Sequence, residues 1–339
     1  MQTLIASIFV FGLLIIVHEL GHYFVARLTG IKVLELAIGF GPKIVSWRKN
    51  EIDYSLRAVP LGGFCRMLGE NPDEDSDPDS FSRKPPLSRA AVLVAGAAMN
   101  LVLAVVVFFI IFFFLVGVPT ESSQIGYIIE NSPAESAGLE SGDTIKSIDG
   151  TPVSNWEDVL INISAKPAQE IELRIERNGS EKQVKVVSEI APEDDSRGII
   201  GIGPQIEKYR FLPSLQISLE RFALIITSIY QVLTGQAPLD VTGPVGIVYV
   251  ISEVAQTGFI NLLMLTGLIS ISLGIMNLLP IPALDGGRLF FLLVEVLRGK
   301  RIDPEKEGFI HFIGFALLII LILFITYQDL LRFDILPGK

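Results

Sequence analysis

The chain has a single cysteine, Cys65, in 339 residues, which excludes an internal disulfide and a cysteine-built zinc site. Histidine is nearly as scarce. His18, His22 and His311 are the whole supply, so a metal site using two of them is completed by a carboxylate or by the third. Basic residues are outnumbered, 27 Lys and Arg against 37 Asp and Glu, and the net charge of −10 argues against nucleic acid as a partner. Met1-Gln2-Thr3 lacks a basic n-region and no small-residue cleavage site follows, so the first apolar segment is expected to stay in the protein as a spanning helix. Internal duplication is also missing, which argues against a transporter made of repeated halves.

What the chain has in quantity is apolar surface. Hydrophobic residues make up 50% of it and the mean hydropathy is +0.52, too apolar for a soluble globule and suited to a membrane protein with a water-soluble insert. Four segments, about 3–27, 90–118, 258–283 and 309–327, are long and apolar enough to span. Lys32, Lys43, Arg48, Lys49, Arg57, Arg66, Arg83, Lys84 and Arg89 lie between the first two. By the positive-inside rule that loop is cytoplasmic, which places both termini and residues 119–210 outside; Arg288, Arg298, Lys300, Arg301 and Lys306 mark a second cytoplasmic loop. A fifth apolar stretch, 213–235, would break this pattern if it crossed. Gln216, Glu220, Thr227 and Gln231 recur in it at near-helical spacing, so it is expected to lie on the outer face as an amphipathic helix.

Into the first apolar segment is set Val17-His18-Glu19-Leu20-Gly21-His22. On a helix the two imidazoles share a face and can hold one Zn²⁺, with Glu19 beside them to deprotonate a water. HExxH also arises by chance in ordinary helices. Within a membrane span, however, each ionisable side chain costs roughly 2.5–3.5 kcal/mol on insertion scales, and a bound metal compensates.

Three further stretches bear on such a site. Residues 43–47 and 52–59 flank Arg48-Lys49-Asn50-Glu51 as a hairpin, and Leu61-Gly62-Gly63-Phe64 permits close backbone approach, so a small sheet there could offer an edge to an extended peptide. An acidic loop follows at 71–80. In the second span, Gly96 reads as a helix-packing residue, and Asn100 either bonds a neighbouring helix or stands near the metal. The third span ends in Asn277-Leu278-Leu279-Pro280-Ile281-Pro282-Ala283-Leu284-Asp285-Gly286-Gly287, where the prolines cannot continue a helix. At ~1.5 Å per residue, His18 lies roughly 20 Å or more below the outer start of its helix, and Asp285 falls towards the same cytoplasmic side.

Residues 121–190 alternate as short strands separated by Gly-rich turns. Ser132-Pro133-Ala134, Ala137-Gly138-Leu139, Ser141-Gly142-Asp143 and Ile148-Asp149-Gly150 resemble a bacterial-type PDZ domain, and the resemblance puts a peptide-binding loop at Ile125, Gly126, Tyr127 and Ile128.

Together with Gly39-Phe40-Gly41-Pro42, Val59-Pro60-Leu61-Gly62-Gly63 and Thr242-Gly243-Pro244-Val245, these motifs resemble the site-2 protease family of intramembrane zinc metalloproteases, of the bacterial RseP type but with one PDZ insert instead of two. The resemblance implies one Zn²⁺ per chain on His18, His22 and Asp285, with Glu19 as the base activating a zinc-bound water. It further implies Asn277, Pro280 and Pro282 on the unwound substrate backbone, with Asn100 as another substrate contact. Its substrates would be single-span membrane proteins pre-trimmed by another protease, such as anti-sigma factors or remnant signal peptides, cut in a bacterial inner membrane from an active site in the cytoplasmic half.

The expected architecture is therefore an α-helical polytopic membrane protein of about four spans, with a cytoplasmic-side β-hairpin over about 33–68 and an inserted α+β PDZ domain. Residues 1–118 and 258–339 form the two halves of the protease core, 121–190 the PDZ domain, and 191–257 a linker with the surface helix. A non-catalytic scaffold is the rival reading, and the intact Glu19 and Asp285 argue against it.

Overall fold

An apolar run without proline or an uncompensated charge folds as one long helix, because every backbone group is then bonded within the segment. Helix α1 spans Gln2–Leu28 on these terms. A computed structural model describes residues 2–70, 77–192, 194–238 and 242–333; the first part of the acidic loop at 71–80 lies outside them. The chain divides into two compact units, Met1–Ile111 with Ser218–Lys339, and Phe112–Ile217.

Strands β1 (Val33–Lys49) and β2 (Ile52–Met67) follow α1. Asn50 and Glu51 turn between them, both at positive φ (49° and 64°), the signature of a type I′ hairpin. The register is more elaborate than a simple hairpin. Residues 43–49 pair with 52–57, while 33–38 face 53–56 on one side and 63–67 on the other. The segments thus run 63–67, 33–38, 53–57, 43–49, which leaves Gly63–Met67 as an outer edge. Tyr23 and Ala26 of α1 bury against Val33, Ile52, Cys65 and Met67 of this sheet. Glu35 is stapled within it. Burial pushes its carboxyl up, but bonds donated by Arg57, Ser55 and Lys43 outweigh this and hold it below the usual range.

Helix α2 (Pro86–Ile110) starts on a proline at its first turn and continues as a π turn over Ile111–Leu115.

The second unit opens with β3 (Val118–Pro119), β4 (Ile125–Ile128) and the short α3 (Pro133–Ser136). Ser132 caps α3 by accepting the Glu135 N–H, while Glu135 accepts from Asn131 N–H. Then come β5 (Thr144–Ile148), β6 (Thr151–Pro152), α4 (Trp156–Ser164), β7 (Glu170–Arg177) and β8 (Ser180–Val187). These strands form a sheet in the order β6-β5-β7-β8. Along β7, Ile171, Leu173 and Ile175 are buried and alternate with exposed neighbours, the period-2 pattern of a half-buried sheet. Arg177 bonds the fully buried Asp143 through Nε (2.6 Å) and Nη2 (2.7 Å), satisfying a carboxylate that burial would otherwise penalise.

This unit extends past the expected boundary at 190. Strands β9 (Glu189–Ala191) and β10 (Asp194–Ile199) pair with each other. Beyond them β11 (Ile202–Pro204) pairs with β4, and β12 (Ile206–Glu207) with β3. The early strands need these late partners to satisfy their backbone groups, so what looked like linker is part of the insert.

Helices α5 (Phe211–Leu233), α6 (Pro244–Thr257), α7 (Phe259–Leu278), α8 (Asp285–Arg298) and α9 (Pro304–Arg332) complete the chain. The third expected span ends at Leu278 instead of 283. Leu279 precedes Pro280 and is forced into extended backbone (ψ 144°). Asp329 of α9 is buried and accepts the N–H groups of Gly243 and Gly246, capping α6 from another helix. Among the described residues five helices are long and apolar enough to cross a membrane: α1, α2 with its π turn, α5, α7 and α9. The chain is thus a polytopic α-helical membrane protein with added β-sheet. Length and composition admit α5 as well as the expected four, although its mean hydropathy of 1.2 is the lowest of the five.

Candidate metal centre

On α1, His18 and His22 bring their Nε2 atoms to 3.2 Å from each other. Asp285, first residue of α8, places Oδ2 3.1 Å from His18 Nε2 and 3.2 Å from His22 Nε2. Two donors bound at about 2.0–2.1 Å to one tetrahedral ion lie roughly 3.3 Å apart, so the spacing suits a zinc-sized cation. The chemistry agrees. His22 Nδ1–H donates to the Val92 carbonyl (2.8 Å), which leaves its Nε2 bare, and Asp285 Oδ2 is buried with no hydrogen-bond partner. Two imidazole nitrogens and a carboxylate oxygen facing one point fit a metal ion, and two imidazoles with one carboxylate are the catalytic zinc set, which keeps a further position open.

The space at that point is made by Gly96. A Cβ there would stand 2.4 Å from His22 Nε2 and 2.7 Å from His18 Nε2. Read from sequence as a helix-packing residue, it keeps the ligand pocket clear. One signal was available: Gly96 and Asn100 are four apart and so share a helix face. Gly21, inside the HExxH stretch, is the packing glycine instead, since a Cβ there would meet the Ala95 carbonyl oxygen at 2.4 Å.

Asn100 is fully buried, so it is not in reach of substrate as expected. Its amide lies 3.3 Å from His18 Nδ1 through Nδ2, with Oδ1 unpaired. Half a turn of the amide exchanges these atoms, so that Oδ1 accepts from His18 Nδ1–H and His18 Nε2 is left bare for a metal.

Glu19 sits between the ligands and the sheet. Its carboxylate accepts the Cys65 backbone N–H, and Gly63 lets the strand close on it, as a Cβ there would be 3.3 Å from Glu19 Cγ. The edge segment Gly63–Met67 therefore runs past the base. Burial pushes the Cys65 thiol well up, with the Glu19 and Glu70 charges acting in the same direction; the donors that converge within 4.8 Å of one another are those of His18, His22 and Asp285. A cavity of about 320 Å³ opens here, lined by the three ligands, Glu19, Phe64 and Leu284 among others. Arg288 and Glu70, paired at 3.0 Å, also line it.

Of the other expected site residues, Asn277 is half-buried in the last turn of α7. Pro280 faces a separate apolar cavity of about 660 Å³ with Leu278, Gly286 and Phe290. Pro282 packs on Gly314 of α9. Gly286 and Gly287 let this broken segment fold tightly on itself, because a Cβ at either would meet a backbone carbonyl oxygen at 2.2–2.4 Å. His311 is not a ligand: its Nδ1 accepts the Ala283 N–H at 2.9 Å. In the second unit, β4 is paired with β11. On its other side Ile125 bonds Gly142 and Asp143, and Ser141 Oγ donates to the Gly126 carbonyl. Ile125 is buried in the core, Ile128 packs against it, and Tyr127 is exposed.

Comparison with known proteins gives a consistent result. The family model for peptidase family M50 matches residues 6–321. A Clostridium acetobutylicum protein is 39% identical over 96% of this chain and 97% of its own. The zinc metalloprotease RasP of Oceanobacillus iheyensis is 34% identical, covering 98% and 99%. The regulator of sigma-W protease RasP of Bacillus subtilis is 32% identical with the same coverage. Among solved structures, the PDZ domain of an SdrC-like protein from Listeria monocytogenes is matched over 93% of its length and 26% of this chain, at 20% identity and TM-score 0.23. A His₂Asp donor set on the expected residues and a match along nearly the whole chain agree, and the chain belongs to peptidase family M50, the site-2 proteases, as a zinc-dependent metalloendopeptidase.

Proposed function

We propose that this chain hydrolyses peptide bonds within or near the membrane segment of single-span proteins, with one Zn²⁺ per chain on His18, His22 and Asp285 and Glu19 as the base. The observation that carries this is the convergence of His18 and His22, on a helix apolar enough to span, with the Asp285 carboxylate beside Glu19. When bound, zinc supplies a Lewis acid that brings the pKa of water to about 7 and polarises a carbonyl. The protein's own groups do the rest. Glu19 takes the proton of the attacking water and returns it to the departing amine. The Cys65 N–H holds the carboxylate at the sheet edge, so an extended peptide added along Gly63–Met67 would bring its backbone against the base. Unwinding is required, since a helical carbonyl is already hydrogen-bonded, and Asn277, Pro280 and Pro282 are assigned to contact that unwound backbone. Asn100 is assigned to orient His18. Asn100→Leu should weaken zinc binding by about 10–100-fold; titration against a chelator that showed wild-type affinity would refute the assignment.

Four spans are proposed, with α5 on the outer face, both termini and the insert outside, and the site in the cytoplasmic half of a bacterial inner membrane; the basic loops support this. The insert is assigned as a PDZ domain that filters or docks substrates, Tyr127 being the exposed residue of its expected binding loop. The substrates are assigned as single-span proteins pre-trimmed by another protease, and the sigma-W regulator among the relatives supports anti-sigma factors as one class of them. The test is cleavage of tagged single-span proteins by the full chain in detergent. Chelation should abolish it and zinc restore it; cleavage indifferent to chelation would overturn the reading.

A further inference from the structure

Asp285 follows six residues, 279–284, that form neither helix nor strand. Within them Ile281 N–H bonds the Leu279 carbonyl and Leu284 N–H the Ile281 carbonyl. Ala283 stands in the left-handed region at φ 82°, which an alanine seldom adopts unless its surroundings impose it. The partner of its N–H comes from outside the segment, from His311 of α9 at 2.9 Å. One turn further along α9, Gly314 receives Pro282, with no room for a Cβ, which would lie 2.3 Å from Pro282 Cβ. The His311 ring also packs on Phe291 of α8 at 5.4 Å between centroids. General helix packing does not account for these contacts, because the apolar window of α9 has no buried residue. They are a point attachment of α9 to the two residues that lead into the turn before the ligand.

We propose that His311 is a positioning residue for Asp285. By accepting the Ala283 N–H, with Gly314 admitting Pro282, it holds the left-handed turn that decides where α8 begins and so where the Asp285 carboxylate stands against His18 and His22. Nδ1 is bare in this arrangement and the ring proton is on Nε2. The inference rests on the ligand assignment made above and adds to it the part played by the last helix.

The experiment compares zinc release to a chelator, alongside melting temperature, in the full-length chain purified in detergent. The amide oxygen of Asn can take the place of Nδ1, whereas that of Gln falls near Nε2. His311→Leu, His311→Gln and Gly314→Ala should lose zinc about 10–100-fold more readily, and His311→Asn should hold it nearly as the wild type does. Wild-type retention in the Leu and Gln variants, with or without a lower melting temperature, would overturn the inference, as would an Asn variant as leaky as the Gln one. If the Leu variant does not fold, the Asn and Gln pair decides. A wild-type chain that takes up no zinc would refute the ligand set itself and this inference with it.

Discussion

Glu19→Gln is expected to lower peptide hydrolysis by about 10²–10⁴-fold, the usual worth of a positioned general base, while zinc content stays at the wild-type level. The glutamine keeps the length of the side chain and an oxygen that can accept the Cys65 N–H, so the packing against Gly63 survives. It cannot take a proton from water. The three ligand atoms belong to His18, His22 and Asp285 and are untouched. Zinc measured by atomic absorption together with cleavage of a single-span substrate separates the possibilities. Normal cleavage by the variant would remove Glu19 from the reaction, and loss of zinc along with activity would make it a ligand instead of a base.

A comparably large effect is expected from a single methyl group. Gly96→Ala puts a Cβ 2.4 Å from His22 Nε2 and 2.7 Å from His18 Nε2, inside the space where the donors converge. Neighbours cannot easily yield: Ala97 on α2 is fully buried and the His22 ring is tied to the Val92 carbonyl. Overpacking of this kind costs about 1–3 kcal/mol in a well-packed interior, and here the displaced atoms are the ligands themselves. Zinc affinity should fall by more than the about 100-fold seen on losing an outer partner, and cleavage with it. Ala98 offers the control, since alanine already stands two residues on, at nearly the opposite face of α2, and Ala98→Gly should leave zinc affinity unchanged. A Gly96→Ala chain that binds zinc normally would show that the helices part more readily than their packing implies.

The chemistry of the site could be read directly from local pattern. His18 and His22 are four apart, and a helix turns that spacing into one face; in an apolar run, where each ionisable side chain is costly, the pair favours a metal over a chance match. The Asn50-Glu51 hairpin and the short helix at Pro133 were also local, set by turn and cap residues. Long-range pairing was less legible. Residues 194–207 looked like linker because β11 and β12 are only a few residues long, and their partners β4 and β3 lie far back in the chain. Asn100 looked available to substrate because one polar residue in a span does not reveal what faces it.

By itself, then, the sequence determined which side chains could bind a metal, which could move a proton, and which stretches are too apolar for water, since each follows from residue type and a spacing of a few positions. Only the tertiary structure decided that Gly96 clears the ligand space, that Asn100 stands behind His18, that Gly63–Met67 is the edge beside Glu19, and that His311 holds the turn before Asp285 instead of joining the ligands. Each of these depends on which backbone passes within a few ångströms of another, and such proximity is set by packing between segments as much as 82 residues apart.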